Sequence, residues 1–402
     1  MKTLIELYDS TPINNVLGTE MFRPQETVFI CPPEVEGDRA LRRALKKYFE
    51  HRQCPVKLTF IPVSMVDAVR IERVLREVLD SRPDCAIDIS GGTDASLFAA
   101  GAASGGTAVF TYSSKKNTFF EIKNAPFARS LPCTVRLDVE SCFLMAGGML
   151  LPGREDNRQL RDRRESIGRL FDVYADFRRI WNRQISYIQK ISSAEPGALI
   201  AEGPRTSKAG NKHVQAYAPL LHALEREGLI EDLELTEDKV RFRFPDETVR
   251  FWLRDIGAVL ELQVYRACLA AGCFDDVVLS AVVNWEGGSS QRDGVTNELD
   301  VVAVRGIQPV FISCKTSEIR TEALNELAVL RDRFGGRGSR AMIVSSAIAT
   351  KNRAPMRRRA AELDIEVIEW DDLPLPRLIE RIANNVGAPV SVQNARKESC
   401  LK

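Results

Sequence analysis

The stretch from Asn297 to Lys315 most constrains what this chain can fold into. Its sequence, NELDVVAVRGIQPVFISCK, predicts two β-strands joined by a turn with glycine and proline. Because alternate residues of a strand point to one face, we expect Glu298 and Asp300 to share a face of the first strand. Ser313 and Lys315 are expected to share a face of the second strand. Strand pairs with one polar face are common, so the hairpin alone does not define a site.

The chemistry of these side chains favours a metal-dependent phosphodiesterase. Mg²⁺ and Mn²⁺ prefer hard oxygen ligands, and a nearby lysine can orient a water and offset charge at a scissile phosphate. Upstream, the pattern of residues 257–272 predicts a helix with Glu261 on or beside an apolar stripe. An acid in such a position needs a partner such as a metal or a lysine. A helix glutamate, a strand aspartate and a strand lysine, in that order, therefore indicate a nuclease site.

Ser313 departs from the pattern that the rest of the hairpin follows. The order of aspartate, about a dozen residues and then acid-x-lysine is that of restriction-endonuclease-like proteins. Here the acid is replaced by Ser313, whose neutral hydroxyl is a poor metal ligand. Glu298 could supply the missing charge, Ser313 could act through its backbone carbonyl and a water, or activity could be weak. These three explanations remain open.

Composition excludes several other classes of protein. A length of 402 residues predicts two or three domains, and 44% hydrophobic with 28% charged residues is ordinary for a globular protein. No apolar run is long enough to span a bilayer, and the N-terminus is too short and too acidic for a signal peptide. The nine cysteines form no CxxC pair, which is typical of free thiols in a cytoplasmic protein. With three histidines, a zinc site or a Ser-His-Asp triad is not expected. A net charge of +1 means that a nucleic acid would need local basic patches.

Residues 1–150 alternate apolar strands with amphipathic helices. This rhythm predicts an α/β domain with a parallel sheet covered on both faces, a Rossmann-like arrangement. A β-rich piece at residues 134–150 is expected to close this domain. Ligands of such sheets bind at the carboxyl ends of the strands, so the loops at those ends are candidate ligand sites.

Two loops stand out at such strand ends. One is the segment Ser10-Thr11-Pro12-Ile13-Asn14, which follows the first strand, and the other is Ser90-Gly91-Gly92-Thr93-Asp94. The two glycines let backbone amides approach an anion, and the helix after Thr93 adds its N-terminal dipole. The alternative is a simple strand-to-helix turn with Thr93 or Asp94 as the N-cap. The motif is not GxGxxG, so a nicotinamide cofactor is not favoured.

The middle of the chain is predicted to be a connector between two domains. Residues 157–190 predict one or two long helices of mixed charge, and residues 193–212, rich in Gly, Pro, Ser and Lys, predict a mobile loop or linker. A helix at 216–227, a glycine turn and a strand at 239–244 resemble a winged helix. Such a segment could bind DNA or serve as structure alone.

A nuclease-like α/β domain is predicted from residue 247 onwards. It includes one helix at 251–269, the hairpin, and a basic helix at 354–363 with Arg357, Arg358 and Arg359 near Lys351 and Arg353, which could hold a polyanion. The predicted domains are 1–150, 151–246 and 247–390, followed by a disordered tail at 391–402.

Several motifs together resemble a known family. LYDSTPINN and DISGGTDAS are similar to the ligand loops of CARF domains, and GAVLE, NELDVV and FISCKTS are similar to a restriction-endonuclease-like half. The chain therefore resembles the CARF nucleases of type III CRISPR systems, with the PD-(D/E)xK type of site. The resemblance covers nearly the whole chain in the same domain order.

The resemblance implies a homodimer whose paired CARF domains bind a cyclic oligoadenylate, with cyclic tetra-adenylate favoured. It also implies a nuclease that uses Mn²⁺ or Mg²⁺ to cleave single-stranded DNA or RNA, or to nick duplex DNA, after allosteric activation. The matching ligand positions are Ser10, Thr11, Asn14, Gly91, Gly92, Thr93 and Asp94. The matching catalytic positions are Glu261, Asp300 and Lys315, with Ser313 deviating and Glu298 adjacent, and the metal ligands are Glu261 and Asp300.

Two other functions fit the same residues. The first is a ligand-sensing, DNA-binding regulator with a degenerate nuclease domain, which Ser313 and the winged-helix-like segment favour. The second is an enzyme that degrades its own cyclic messenger in the CARF pocket. No sequence feature separates this second function from simple binding.

Overall fold

The computed structural model describes residues 1–152, 157–209, 212–288, 294–336, 338–347 and 353–388. The predicted tail after residue 390 and Lys351 lie outside these residues. None of the described helices is both long enough and apolar enough to cross a membrane. The eight cysteines within the described residues are all free thiols.

The N-terminal part is built on a seven-stranded sheet. Its strands are β1 (Thr3–Leu7), β2 (Glu26–Cys31), β3 (Lys57–Pro62), β4 (Cys85–Asp88), β5 (Ala108–Ser113), β6 (Thr118–Lys123) and β7 (Leu131–Pro132). The order is β3-β2-β1-β4-β5-β6-β7, with the first five strands parallel and the last two antiparallel. The central strand β1 is buried along its whole length, as expected for a strand covered on both faces. The Rossmann-like prediction is confirmed.

Six helices accompany this sheet. They are α1 (Leu17–Phe22), α2 (Pro33–Gly37), α3 (Arg39–His51), α4 (Ala68–Ser81), α5 (Asp94–Ala103) and α6 (Val139–Met145). Asp38 caps α3 by accepting the amides of Ala40 and Leu41 at 2.9 Å each, and the helix buries Leu45 and Tyr48 against the core. The apolar spacing of residues 38–51 in the sequence predicts a helix there, so local capping and spacing account for α3.

The prediction of a β-rich piece at 134–150 is wrong. Its central part is α6, which Asp138 caps by accepting the amide of Ser141 at 2.7 Å. Six of the seven residues of α6 are buried, so it appears in sequence as a largely apolar run that periodicity cannot distinguish from a strand. A short strand, β8 (Met149–Leu151), does follow, but it pairs with a strand of the C-terminal sheet. The chain therefore contributes to the second sheet before it enters the connector.

The connector contains more β-structure than its sequence indicates. Its elements are α7 (Asn157–Arg161), α8 (Arg164–Ile191), β9 (Ile200–Pro204), β10 (Thr206–Ala209), β11 (Lys212–Gln215), α9 (Ala218–Arg226), β12 (Glu231–Leu235) and β13 (Lys239–Arg243). The predicted linker at 193–212 is wrong, because β9 pairs antiparallel with β13, and β10 pairs with β11. Pairing with β13, which is distant in sequence, thus orders the polar stretch that contains β9. The sheet β12-β13-β9 after α9 agrees with the winged-helix-like prediction.

The C-terminal part is a six-stranded mixed sheet with helices. Its elements are α10 (Glu247–Trp252), α11 (Ala258–Ala271), β14 (Asp276–Asn284), β15 (Thr296–Arg305), β16 (Gln308–Lys315), α12 (Thr321–Phe334), β17 (Arg340–Ser345), α13 (Arg353–Glu362), β18 (Ile365–Ile368) and α14 (Leu375–Asn385). The strand order is β18-β17-β16-β15-β14-β8. The α/β fold class is confirmed. The connector helix α8 and the C-terminal helices α11 and α14 share one hydrophobic core, with Trp181, Leu260 and Ile382 fully buried.

One predicted helix is divided in the structure. The helix expected at 251–269 is two helices, α10 and α11, separated at residues 253–257. The Asp255 carboxylate accepts the amide of Gly257 at 2.8 Å, a local turn that competes with helical hydrogen bonding. The break places Glu261 in the first turn of α11.

Candidate active site

The hairpin strands bring three of the predicted residues to one oxygen atom. Strands β15 and β16 are antiparallel, with Val301 opposite Ile312, and the site lies just beyond this pair. The Oδ2 atom of Asp300 accepts the backbone amide of Cys314 at 2.5 Å and the hydroxyl of Ser313 at 3.1 Å. The Lys315 ammonium lies 3.7 Å from the same oxygen. Strand geometry alone therefore assembles an aspartate and a lysine in contact.

A small cavity, open to solvent, covers this group. Its lining is Glu298, Leu299, Asp300, Ser313 and Lys315 from the hairpin and Ala323, Glu326, Leu327 and Leu330 from α12. One wall is charged and the other largely apolar, an arrangement suited to a polar ligand held at a defined place. Glu326 was not among the predicted site residues.

Glu261 lies close to this group without lining the cavity. Burial is the main cause that raises the pKa of Glu261, to about 8, and the nearby charges of Asp300, Asp255 and Glu298 add to it. A side chain at Gly257 would place its Cβ 2.6 Å from Oε1 of Glu261, so this carboxyl is turned toward the start of its own helix. The structure thus brings Asp300 and Lys315 together and leaves Glu261 beside them, with its Oε1 directed toward Gly257.

The donor set suits a divalent cation in its chemistry. The carboxylates of Glu298, Asp300 and Glu326 are the hard oxygen ligands that Mg²⁺ and Mn²⁺ prefer. Within the described part of the chain, no three acidic, histidine or cysteine side chains are already grouped closely enough to hold a metal. Glu298 and Glu326 are both exposed, so rotation of these side chains could close such a group.

The expected basic helix is partly neutralised by its neighbours. Glu369 pairs with Arg357 and, at 2.5 Å, with Arg353, while Arg359 lies 3.2 Å from Glu362. Exposed ion pairs of this kind lower the positive potential that is available to a polyanion. The arginines of α13 therefore offer less free charge than their sequence suggests.

In the N-terminal domain, the two predicted ligand loops meet at Asp9. They follow β1 and β4, which are neighbours in the sheet. Oδ1 of Asp9 accepts the amide of Thr11 at 2.6 Å, and Oδ2 accepts the amide of Gly92 at 2.9 Å. Asp9 was not among the predicted site residues, although an aspartate that opens a polar turn after a strand is a known signal for such bonding. Asp9 fixes the spacing between the loops.

The glycines and Thr93 have structural roles in this loop pair. A Cβ at Gly91 would lie 2.7 Å from that of Asp9 and 3.0 Å from that of Asn14, so close approach of the loops requires glycine. Gly92 has a positive φ of 109°. Thr93 is the N-cap of α5 and accepts the amide of Ser96 at 3.3 Å. The capping alternative for Thr93 is thus observed.

The other predicted loop residues lie at the rim of the same strand ends. The side chains of Ser10 and Asp94 are exposed, and those of Thr11 and Asn14 are half-buried. The structure therefore brings both sets of predicted ligand residues to one edge of the sheet. It does not by itself assign a ligand to them.

Together, the fold and these sites define a protein with a Rossmann-like N-terminal part, a connector and a nuclease-like C-terminal part. Residues 246–386 match the family model of the Card1-like endonuclease domain. This part of the chain is thus similar to an endonuclease domain of that kind, and the prediction of a nuclease is confirmed. The comparison with curated proteins found no match.

Solved structures share the fold over almost the whole chain. The protein VC1899 from Vibrio cholerae is 19% identical, with a TM-score of 0.75 over 95% of this chain and 97% of that one. Can2 from Sulfobacillus thermosulfidooxidans, solved in complex with cyclic tetra-adenylate, is 18% identical, with a TM-score of 0.66 over 96% of this chain and 98% of that one. The resemblance to CARF nucleases found in the sequence motifs is confirmed at the level of the fold.

A type III CRISPR defence DNA nuclease activated by cyclic oligoadenylate is 14% identical to this chain. Its TM-score is 0.47, over 87% of this chain and 47% of that one. This likeness is too weak to bear on the function of the present protein.

Proposed function

We propose that this protein is a metal-dependent nuclease of type III CRISPR defence that cyclic tetra-adenylate activates. The observation that carries the proposal is the contact of Asp300, Ser313 and Lys315 at a solvent-open cavity inside the endonuclease domain. The substrate is single-stranded DNA or RNA, or duplex DNA that is nicked. The motif resemblance supports the CRISPR role.

The residues of the hairpin have distinct parts in this mechanism. A bound Mn²⁺ or Mg²⁺ supplies Lewis-acid charge next to the scissile phosphate. Asp300 and Glu298 are the hairpin carboxylates placed to hold it. The Lys315 ammonium, held against Asp300, orients the attacking water and offsets the negative charge of the phosphate. Ser313 donates to Asp300 and so fixes the orientation of that carboxylate.

The loops tied by Asp9 are the proposed binding site of the activator. They lie at the carboxyl ends of adjacent parallel strands, where ligands of such sheets bind. The bound state of Can2 supports cyclic tetra-adenylate as the ligand, because its fold matches this chain from end to end. The proposed contacts come from Ser10, Thr11 and Asn14 of one loop and from residues 91–94 of the other.

A homodimer is part of the same proposal. Three apolar side chains on and beside α4 and α5 are largely exposed, namely Val66 at 85%, Val69 at 79% and Phe98 at 72%. An exposed apolar patch next to a ligand site is typical of a subunit interface. Light scattering should give twice the mass of one chain, and Phe98→Asp should reduce it toward the monomer. A monomeric wild-type protein would contradict this part of the proposal.

The experiment that tests the proposed active site compares Asp300→Ala and Lys315→Ala with the wild type. Cleavage in Mn²⁺ and cyclic tetra-adenylate should fall by about a hundredfold or more, because both residues act at the reacting phosphate. Affinity for cyclic tetra-adenylate, measured by calorimetry, should stay unchanged because the ligand loops are untouched. Full cleavage by either variant would contradict the site. A wild type that binds the messenger and duplex DNA in EDTA but never cleaves would favour the regulator.

A further inference from the structure

We propose that Glu326 supplies the metal-ligating carboxylate that is missing at Ser313. This inference rests on the proposed metal-dependent nuclease function and adds a residue to its site. Glu326 lies on α12, outside the hairpin, and lines the same cavity as Asp300, Ser313 and Lys315. With Asp300 on the strand and Glu326 on the facing helix, carboxylates lie on both sides of the cavity.

Glu326 is held at the cavity by a chain of hydrogen bonds. Its Oε1 atom accepts the side-chain amide of Asn297 at 2.8 Å, and Asn297 in turn accepts the indole N–H of Trp285 at 2.8 Å. The Trp285 ring packs edge-on against Phe334, at the other end of the helix that carries Glu326, with 5.5 Å between centroids. This chain ties the glutamate, the first hairpin strand and α12 into one arrangement, which leaves Oε2 for another ligand.

The other candidate acids are less suited to replace the one missing at 313. The Ser313 hydroxyl is engaged with Asp300, and Glu261 does not line the cavity and has its Oε1 beside Gly257. Glu298 lines the cavity, but it is on the same strand as Asp300 and therefore belongs to the same wall of the cavity. Glu326 approaches from the facing helix instead. A cation between helix and strand would thus have carboxylates on both sides.

The charge at the cavity agrees with a divalent cation. The lining contains the carboxylates of Glu298, Asp300 and Glu326 and one cation, Lys315. Like charges that face one cavity repel each other unless a counter-ion joins them. A divalent cation would offset the excess negative charge, and the exposed Glu298 has the freedom to turn toward it.

The test is Mn²⁺ binding to the full chain, measured by calorimetry without nucleic acid or messenger. Glu326→Gln should raise the Kd for Mn²⁺ about tenfold or more, the scale expected when a group of a metal site is lost. Glutamine keeps an oxygen for Asn297, so the fold should persist, and melting in EDTA verifies this. The matched control is Glu322→Gln on the same helix, exposed and outside the cavity lining, which should bind as the wild type does.

A second variant separates a ligating role from a structural one. Adding Ser313→Glu to Glu326→Gln returns an acid to the strand and should restore Mn²⁺ binding. Wild-type affinity in Glu326→Gln, or no restoration in the double variant, would overturn the inference. If Glu326→Gln binds Mn²⁺ and cleaves as the wild type does, this inference fails while the proposed function stands. A wild type that binds no Mn²⁺ would overturn both.

Discussion

Single residues whose partners lie far away in sequence determine much of this structure. Glu6 on β1 and Asp88 on β4 are direct neighbours in the sheet, and both are only 1% exposed. Burial raises the pKa of Asp88 to about 7, and burial together with the charge of Asp88 raises the pKa of Glu6 well above its usual value. Asp88 also accepts the amide of Ser90 at 2.7 Å, at the start of a proposed ligand loop. This buried pair links core stability to the loop.

The Glu6–Asp88 pair predicts a stability that depends on pH. A carboxyl with a raised pKa in the folded state keeps its proton where the unfolded chain has lost it. The contribution of the Asp88 carboxyl to the free energy of unfolding is therefore fully present below about pH 4, and it is lost as the pH rises toward 7. Asp88→Asn mimics the protonated acid and removes this loss. Urea unfolding at about pH 8 should show the variant to be more stable than the wild type by at most about 4 kcal/mol.

The matched control for that measurement is Asp80→Asn. Asp80 is exposed on α4, so its substitution should leave the pH dependence of unfolding as it is in the wild type. A difference between Asp88→Asn and the wild type that stays constant from about pH 4 to 8 would contradict the raised pKa.

Local spacing in the sequence predicts the site residues of the hairpin. It does not reveal site residues that bond to partners distant in sequence. Asp300, Ser313 and Lys315 meet because strand periodicity and one turn suffice to place them. Asp9 bonds to a residue 83 positions away, and Glu326 bonds to one 29 positions away. No periodic pattern connects such pairs.

At the scale of elements, α12 links the two candidate sites. Its middle residues line the cavity of the hairpin, and the loop after its last turn reaches the N-terminal domain. There, a Cβ at Gly336 would lie 2.9 Å from Cγ2 of Thr11 and 3.4 Å from Cδ of Pro12. A shift of the ligand loop would therefore press on the end of the helix that borders the nuclease site. This contact is a physical route for coupling between the sites.

Gly336→Ala tests this route. The new methyl group would push against Thr11, so the concentration of cyclic tetra-adenylate that gives half-maximal cleavage should rise several-fold. Gly387→Ala is the matched control, because its φ of 61° equals the 62° of Gly336 within a degree and no atom lies within 4 Å of its Cβ. Equal dose–response curves for the two variants would exclude the contact as a coupling route.

Elements were predicted well where their stabilising contacts are local. Helix α3 has its own cap and apolar face, and its predicted range differs from the observed one by a single residue. The failures are α6, of which six of seven residues are buried, and β9, whose partner β13 lies about 40 residues away in sequence. Burial and strand pairing are properties of the assembled sheet and core, so local sequence patterns do not predict them.

At the scale of the whole molecule, the parts are more interleaved than a linear domain list suggests. Strand β8 precedes the connector in sequence but belongs to the C-terminal sheet, and the connector shares its core with α11 and α14. The domain boundaries predicted from the sequence, 1–150, 151–246 and 247–390, remain predictions. An interleaved arrangement would let a change at the N-terminal loops reach the nuclease domain through the sheet as well as through α12.

The central claim is that a cyclic messenger controls a metal-dependent nuclease. The most direct test is a cleavage assay of the wild type on single-stranded DNA, single-stranded RNA and supercoiled plasmid in Mn²⁺, with and without cyclic tetra-adenylate. Because the messenger would favour the active state, we predict cleavage of at least one substrate with it and little without it. Equal cleavage in its presence and absence, or no cleavage of any substrate with the messenger bound, would contradict the claim.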